Sequence, residues 1–275
     1  MSRFFVSIDS VDKENSRILI TGEDVKHIKS VLRSEPGDTL ELSDGAGVDY
    51  DVKVEMIDKD CITTGIVNTR PNKTEPPVNI TLFQGIPKAD KMEYIIQKCV
   101  ELGIKRIVPV MMARSVVKFD NARDAAAKTA RWQRIALEAA KQCDRGIVPE
   151  VVEPLRFNEA LKMADNCGLR LLPYEEETEG NLRQQLEEQK QLLQNQRQKQ
   201  LESAQEVSRI DVDDIAGNIA LFIGPEGGFA SDEVEKAVNS GFKSVTLGPR
   251  ILRTETAGVA VIAIIMYELG DIGRL

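Results

Sequence analysis

From residue 78 onward the chain alternates short apolar segments with segments of helical period, and this alternation restricts the fold more than any other feature. The apolar segments have the length of buried strands; they are residues 78–83, 107–112, 169–172, 219–223 and 245–247. Strands that alternate with helices pair in parallel, and helices then cover both faces of the sheet. The sequence therefore predicts an α/β domain with a mainly parallel sheet.

The segments between these strands carry apolar residues on one helical face. One face contains Met92, Ile95, Ile96, Cys99 and Val100, and another contains Trp132, Ile135, Ala136, Ala139 and Cys143. At this spacing Trp132 is expected in the core rather than beneath a stacked base. Helices are also predicted over residues 231–240, capped by Ser231, and over the mostly apolar residues 255–269.

The N-terminal part has a different pattern, in which short alternating segments are separated by turns. The predicted strands are residues 17–20, 39–42 and 50–57. One short helix is predicted over 23–32, after a Thr21 cap, and a small, mostly β barrel fits this pattern best. Three prolines among polar residues at 70–77 indicate an extended linker. The predicted domains are a barrel over 1–72, a linker over 73–77 and the α/β domain over 78–275.

A segment rich in Gln and Glu, at about residues 175–208, fits neither pattern. Its composition favours a helix, but its apolar residues are few: Leu182, Leu186, Leu193 and Leu201. We interpret it as an insertion in the α/β domain. Three structures are compatible with this composition: a projecting helix, a weak coiled-coil contact or a disordered segment.

The net charge of −8 argues at first against a nucleic-acid partner. The charge is unevenly distributed, however. Residues 85–145 contain 13 lysines and arginines and seven acidic residues, a local charge of +6 that leaves −14 for the rest. This stretch can present a phosphate-binding face, although a solvated helix surface explains the charge about equally well.

Several other classes of protein are disfavoured by the sequence. Four widely separated cysteines and a single histidine match no zinc site, so no metal is expected. The longest apolar run, 259–266, is too short to cross a bilayer, and the first residues lack the apolar core of a secretory signal. We expect a cytoplasmic protein with no membrane contact. His27 is expected at the surface or on an RNA backbone rather than as a general base.

Residues 223–229 have the sequence Ile-Gly-Pro-Glu-Gly-Gly-Phe and join a predicted strand to a predicted helix. Three glycines and a proline in so short a turn let a ligand approach the backbone closely. The segment is neither a dinucleotide fingerprint nor a P-loop, so nucleotide phosphate is not the natural ligand. An ordinary tight turn is the alternative interpretation.

Residues 247–258 again follow a predicted strand and begin a helix, with two arginines, two threonines and a glutamate close together. A cap at Thr254 and a first-turn charge at Glu255 would explain two of these residues but not Arg250 and Arg253. Two glycine-bearing loops at the carboxyl ends of neighbouring strands predict a ligand crevice.

The motifs G-P-E-G-G-F at 224–229 and L-G-x-R-I-L-R-x-E-T-A at 247–257 together resemble the signature of the 16S ribosomal RNA (uracil-N3) methyltransferases, the RsmE family of the SPOUT superfamily. Weaker similarities lie at 3–6, 27–33, 88–92, 99–103 and 139–145. The resemblance covers nearly the whole chain except the Gln-rich segment. It implies a SPOUT-type C-terminal domain with a trefoil knot and an N-terminal PUA-like barrel that binds RNA.

The resemblance implies that the cofactor is S-adenosylmethionine and that the methyl acceptor is N3 of a uridine in 16S ribosomal RNA. It also implies that the enzyme acts on the assembled small subunit and forms a homodimer. Matching positions imply cofactor contacts at Leu172, Pro173, Ile223, Gly224, Glu226, Gly227, Leu247, Gly248, Ile251, Leu252 and Thr256. The first alternative is a non-catalytic RNA-binding assembly factor that keeps the fold. A Rossmann-type dehydrogenase or NTPase is a weaker alternative, because the phosphate-binding fingerprint of these enzymes is missing from the sequence.

Roles in catalysis and RNA binding follow from the position of the basic residues. We predict that Arg253 or Arg250 stabilises the uridine anion that forms as N3 loses its proton. Pairing of these arginines with Glu226 or Glu255 is the alternative. The predicted RNA contacts are Arg145, Lys88, Lys91 and Arg114, of which the last three are equally ordinary surface charges.

Overall fold

The structure is a computed structural model that describes residues 3–117, 119, 121–202 and 215–273, without the side chains of 200–202. The described residues divide into two compact units, one within 1–75 and 137–148 and the other within 76–136 and 149–275. The predicted domain boundaries remain predictions. A strand that ends at Pro71 includes the first two residues of the proline-rich segment 70–77.

The first unit is built on a six-stranded sheet. Its strands are β1 (Arg3–Phe5), β2 (Val11–Asp12), β3 (Arg17–Thr21), β4 (Thr39–Ser43), β5 (Val48–Ile57) and β6 (Cys61–Pro71). Their order is β1-β4-β5-β6-β3-β2, and every pair is antiparallel except β1 with β4. Because side chains alternate across a strand, Ile18 and Ile20 of β3 are buried while Leu19 between them is 44% exposed.

One helical segment follows β3, as predicted, with α1 (Glu23–His27) continuing into a π-helical turn (Ile28–Leu32). The predicted cap at Thr21 is wrong. The residue before the helix is Gly22, whose φ of 78° is the left-handed conformation that glycine adopts without strain.

The second unit contains seven strands that all pair in parallel, which confirms the predicted α/β fold. They are β7 (Asn79–Gly85), β8 (Arg106–Met111), β9 (Glu150–Val151), β10 (Leu155–Arg156), β11 (Leu169–Pro173), β12 (Asn218–Ile223) and β13 (Lys243–Val245). The order is β10-β8-β7-β12-β11-β13, and β9 pairs with β8. The predicted trefoil knot remains a prediction.

Six helices complete the described secondary structure, apart from three 3-10 turns. They are α2 (Lys91–Glu101), α3 (Ala122–Gln142), α4 (Phe157–Met163), α5 (Leu182–Glu202), α6 (Ser231–Asn239) and α7 (Thr254–Glu268). α7 packs against α2, α5, β7 and β12. Within the described ranges, no helix is both long and apolar enough to cross a membrane.

α5 lies within the predicted Gln-rich insertion, whose residues 203–208 are outside the described part of the chain. Leu182 and Leu186 are buried, and Gln189 donates a hydrogen bond to the carbonyl of Ala216. The start of the segment is therefore packed, whereas Leu192 is 44% exposed. A helix, one of the three predicted alternatives, is present over 182–202.

Several predicted element ends differ from the structure by one or two residues, and two of these differences lie next to β12 and β13. The strand predicted over 245–247 ends at Val245, because the next residues form a turn in which Gly248 has a φ of 97°. Ser231 is the first residue of α6 rather than its cap. The cap position is Ala230, whose backbone N–H donates to the Glu233 carboxylate.

Phe222, near the carboxyl end of β12, is the central ring of an aromatic cluster in the core of the second unit. Its ring centroid lies 5.1 Å from that of Phe157 and 5.6–5.8 Å from those of Phe83, Phe229 and Phe242. All five rings are buried, so each contributes hydrophobic and aromatic stabilisation.

We expect Phe222→Ala to lower the free energy of unfolding by about 3–5 kcal/mol, because it leaves a large cavity among four rings. Phe222→Leu, which retains most of the volume, should cost about half as much or less. Urea denaturation measures both values. A cost below about 1 kcal/mol for the alanine variant would contradict this account of the core.

Candidate functional site

Three loops leave the carboxyl ends of β12, β11 and β13, which are neighbours in the parallel sheet. We call residues 224–230 the β12 loop, 174–181 the β11 loop and 246–253 the β13 loop. Because parallel strands end at the same edge, the three loops meet there and surround a cavity of about 740 Å³. The crevice predicted from the two glycine-bearing segments is present, and a third loop contributes to it.

The β12 loop turns sharply because of its glycines and its proline. The N–H of Gly228 donates to the carbonyl of Pro225 at 2.9 Å, and Gly228 has a φ of 68°. Pro225 packs so closely on the end of β7 that a Cβ at Gly85 would lie 2.6 Å from the proline ring. Glycine at position 85 therefore allows the turn to approach the sheet.

The β13 loop is open to solvent before α7 begins. Gly248 has a φ of 97°, and its N–H donates to the Thr246 hydroxyl at 3.2 Å. Ile251 is 87% exposed, which is unusual for a large apolar side chain, and it lines the cavity. Thr254 is the first residue of α7 rather than its cap, and its hydroxyl donates to the carbonyl of Gly224 at 2.6 Å.

The β11 loop passes close to the backbone of β13. A Cβ at Gly180 would lie 2.1 Å from the carbonyl oxygen of Ser244, so only glycine fits at this position. The carboxylate of Glu177 accepts the N–H groups of Gly180 and Glu179, and these bonds lower its pKa to about 2. Tyr174, Glu175, Glu177 and Thr178 line the cavity. These four residues were not predicted, because the acidic loop merges in composition with the Gln-rich segment.

Lys91 connects two acidic side chains at the rim of the cavity. Its Nζ lies 3.1 Å from Glu226 and 3.1 Å from Glu255. Hydrogen bonding to Glu226 and then to Glu255 raises the pKa of Lys91. Burial raises the pKa of Glu226, but its own backbone N–H, Lys91 and the N–H of Lys88 outweigh burial and keep that pKa below its ordinary value.

Arg250 and Arg253 line the cavity and are exposed. Neither guanidinium forms a hydrogen bond or an ion pair within the described part of the chain, and Lys91 is the cation in direct contact with Glu226 and Glu255. Arg253 still acts on Glu255 through its charge, which helps to lower the pKa of that carboxyl. Whether either arginine pairs with these glutamates in the working protein stays a prediction.

The predicted cofactor contacts lie mostly at the cavity. Those that line it are Pro173, Ile223, Gly224, Glu226, Leu247, Gly248, Ile251 and Leu252. Leu172 is fully buried, Gly227 is exposed and lies beside Arg114, and Thr256 is exposed on the first turn of α7. Their roles remain predictions.

The predicted RNA contacts are in different surroundings. Lys91 lines the cavity, Lys88 is exposed, and Arg114 is exposed and donates to the carbonyl of Gly227 at 3.0 Å. Arg145 belongs to the first unit, is 4% exposed and pairs with Glu75 at 2.6 Å. Its burial argues against a direct contact of this side chain with RNA. No cluster of ligating side chains in the described ranges could hold a metal ion.

Comparison with known proteins agrees with this arrangement. A family model described as RNA methyltransferase domain matches residues 74–266, and one described as RNA methyltransferase PUA domain matches 20–66. The ribosomal RNA small subunit methyltransferase E of Bacillus subtilis is 31% identical over 98% of this chain and 97% of its own length. The protein of the same name from Aquifex aeolicus is 32% identical over 94% of this chain and 97% of its own length.

A solved structure gives the same result. The ribosomal RNA small subunit methyltransferase E of Neisseria gonorrhoeae, bound to S-adenosyl methionine, superposes with a TM-score of 0.76 at 32% identity and covers 99% of both chains. The family model spans well over half of this chain, and the relatives align over almost their full length. The chain therefore belongs to the RNA methyltransferase family that includes ribosomal RNA small subunit methyltransferase E.

Proposed function

We propose that this chain transfers a methyl group from S-adenosylmethionine to N3 of a uridine in small-subunit (16S) ribosomal RNA. The observation that carries the proposal is the cavity at the ends of β11, β12 and β13, which holds the two motifs of the family signature and two unpaired arginines. The names of the relatives, and the cofactor bound to the Neisseria protein, support the same reaction. The uridine and its N3 position come from the family resemblance.

The residues at the cavity fit this cofactor. A volume of about 740 Å³ lies within the range of roughly 300–1,000 Å³ usual for small-molecule sites. Gly224 and Gly248 expose backbone groups that can bind an adenosine, and Leu247, Ile251 and Leu252 supply apolar surface. Carboxylates of Glu175 and Glu177 provide negative charge for a cationic sulfonium.

The chemistry needs a positive charge near the uracil. When bound, S-adenosylmethionine would supply a methyl group whose carbon bonds to N3 as its bond to sulfur breaks, with S-adenosylhomocysteine as the leaving group. Uracil N3 holds a weakly acidic proton, and negative charge grows on the base as this proton leaves. Arg250 and Arg253 are the free cations of the β13 loop, so we assign them to stabilise that charge, while the loops hold the two reactants in line.

We expect Arg250→Ala or Arg253→Ala to lower kcat by about 100-fold, because each removes a cation aimed at developing charge. The KM for S-adenosylmethionine should change little. Arg106→Ala is the matched control, since Arg106 begins β8 at the opposite edge of the sheet. The measurement is transfer of labelled methyl groups to small subunits. Rates within twofold of wild type for both cavity variants would refute the assignment.

The reaction itself is tested by mass spectrometry of 16S RNA from cells with and without the protein. We expect 3-methyluridine to disappear from one position in its absence and to return on adding the purified chain to assembled small subunits. An unchanged content of 3-methyluridine would refute the proposed substrate.

Calorimetry with S-adenosylmethionine separates the enzyme from a non-catalytic assembly factor, which would bind RNA but not the cofactor. This proposal places the protein in the cytoplasm, where small subunits are found.

The proposal includes a homodimer. Ile264 and Tyr267 lie three residues apart on α7 and are 43% and 64% exposed, and Tyr94 on the adjoining α2 is 50% exposed. Large apolar side chains exposed together are typical of an interface. A second copy of this chain is the partner that the family resemblance implies.

We expect Ile264→Asp together with Tyr267→Asp to convert the dimer to a monomer, because burying two carboxylates in an apolar contact is costly. Size-exclusion chromatography with light scattering measures the mass at micromolar concentrations. Val238→Asp, on the exposed side of α6, is the control and should remain dimeric. A monomeric wild-type protein would contradict the dimer.

A further inference from the structure

We propose that Gln84 and Thr254 act as positioning residues that join the β12 loop to the start of α7, directly after the β13 loop, and so set the affinity for S-adenosylmethionine. We call this pair the loop latch. The inference rests on the proposed function, because it concerns the ligand of the same cavity. It adds two side chains that neither motif assigns, since position 254 is one of the open positions of the second motif.

The direction of the hydrogen bonds follows from the single proton of a hydroxyl. Thr254 Oγ1 lies 2.6 Å from the carbonyl oxygen of Gly224, which can only accept, so the hydroxyl donates there. The Gln84 Nε2 lies 2.9 Å from the same hydroxyl and donates to it. The two bonds form a directed chain from Gln84 through Thr254 to Gly224.

The surroundings of Gln84 indicate that its amide is placed for this purpose. The side chain is 0% exposed, and its second N–H donates to the carbonyl of Gly85 at 3.0 Å. Its Oε1 is buried and has no hydrogen-bond partner in the described part of the chain. A core that only needed filling would take an apolar residue here, whereas an unsatisfied buried amide oxygen calls for a specific explanation.

The latch acts on a glycine-rich loop. The β12 loop contains Gly224, Gly227 and Gly228, and glycine loses more conformational freedom on ordering than any other residue. β11 lies between β12 and β13 in the sheet, so no strand pairing joins these two loops. A fixed Gly224 carbonyl holds the β12 loop against the start of α7 before any ligand binds, which reduces the cost of binding.

The test is isothermal titration calorimetry of S-adenosylmethionine with the full-length protein. We expect Thr254→Val, which keeps the shape but removes the hydroxyl, to raise Kd about tenfold, and Thr254→Ser to stay within about twofold of wild type. Gln84→Met should resemble Thr254→Val, and the double variant should bind no more weakly than either single variant, because both break one chain of bonds. Thr129→Val removes a hydroxyl bonded to a helix carbonyl away from the cavity and should bind normally.

Kinetics distinguish a positioning role from general loss of structure. Thr254→Val should raise the KM for S-adenosylmethionine and leave the KM for the RNA substrate unchanged. Equal binding by wild type and Thr254→Val, or weak binding by Thr254→Ser, overturns the latch. If Thr254→Val does not fold, Gln84→Met and Thr254→Ser decide the question by the same criteria. Failure of the wild-type protein to bind S-adenosylmethionine overturns the proposed function instead.

Discussion

The parallel pairing of β11 with both β12 and β13 is the constraint on which the rest of the site depends. Leu171 pairs with Leu221 on one side and with Lys243 on the other, and Pro173 is in register with Val245. This register makes all three strands end at one edge of the sheet, so loops far apart in sequence surround one cavity. Shifting a strand by one residue would turn its buried side chains to the opposite face, so the hydrophobic core also fixes the position of the loops.

The same burial explains which parts of the fold could be predicted. Strands covered on both faces are continuous apolar runs, and Leu221 and Phe222 on β12 or Val108 and Val110 on β8 are buried as such runs require. β9 and β10 have two residues each and no such run, so nothing in the sequence marked them. Their pairing with β8 depends on contacts that only the folded chain provides.

Charge shows the limit of sequence reasoning at the site. The sequence places Lys91, Glu226 and Glu255 in three separate segments, and any pairing among them and the two arginines is compatible with their spacing. The fold brings the Lys91 ammonium between both carboxylates, whereas Arg253 acts on Glu255 only through its charge. Arg145 shows the same limit in the opposite direction. It belongs to the basic stretch of residues 85–145, but its side chain is buried and paired with Glu75. Local charge density therefore predicts neither exposure nor partner.

These observations imply a division of roles within the site. Backbone groups of the glycine loops can bind an adenosine whatever their neighbours are, and this explains the four glycines of the signature. A loop built in this way has little intrinsic rigidity, so its order must come from side chains outside it. Gln84 on β7 and Thr254 on α7 belong to the rigid frame, and their hydrogen bonds end on the Gly224 carbonyl. Arg250 and Arg253 have no such hydrogen bond in the described part of the chain, and under the proposed function this leaves their side chains able to adjust to the RNA.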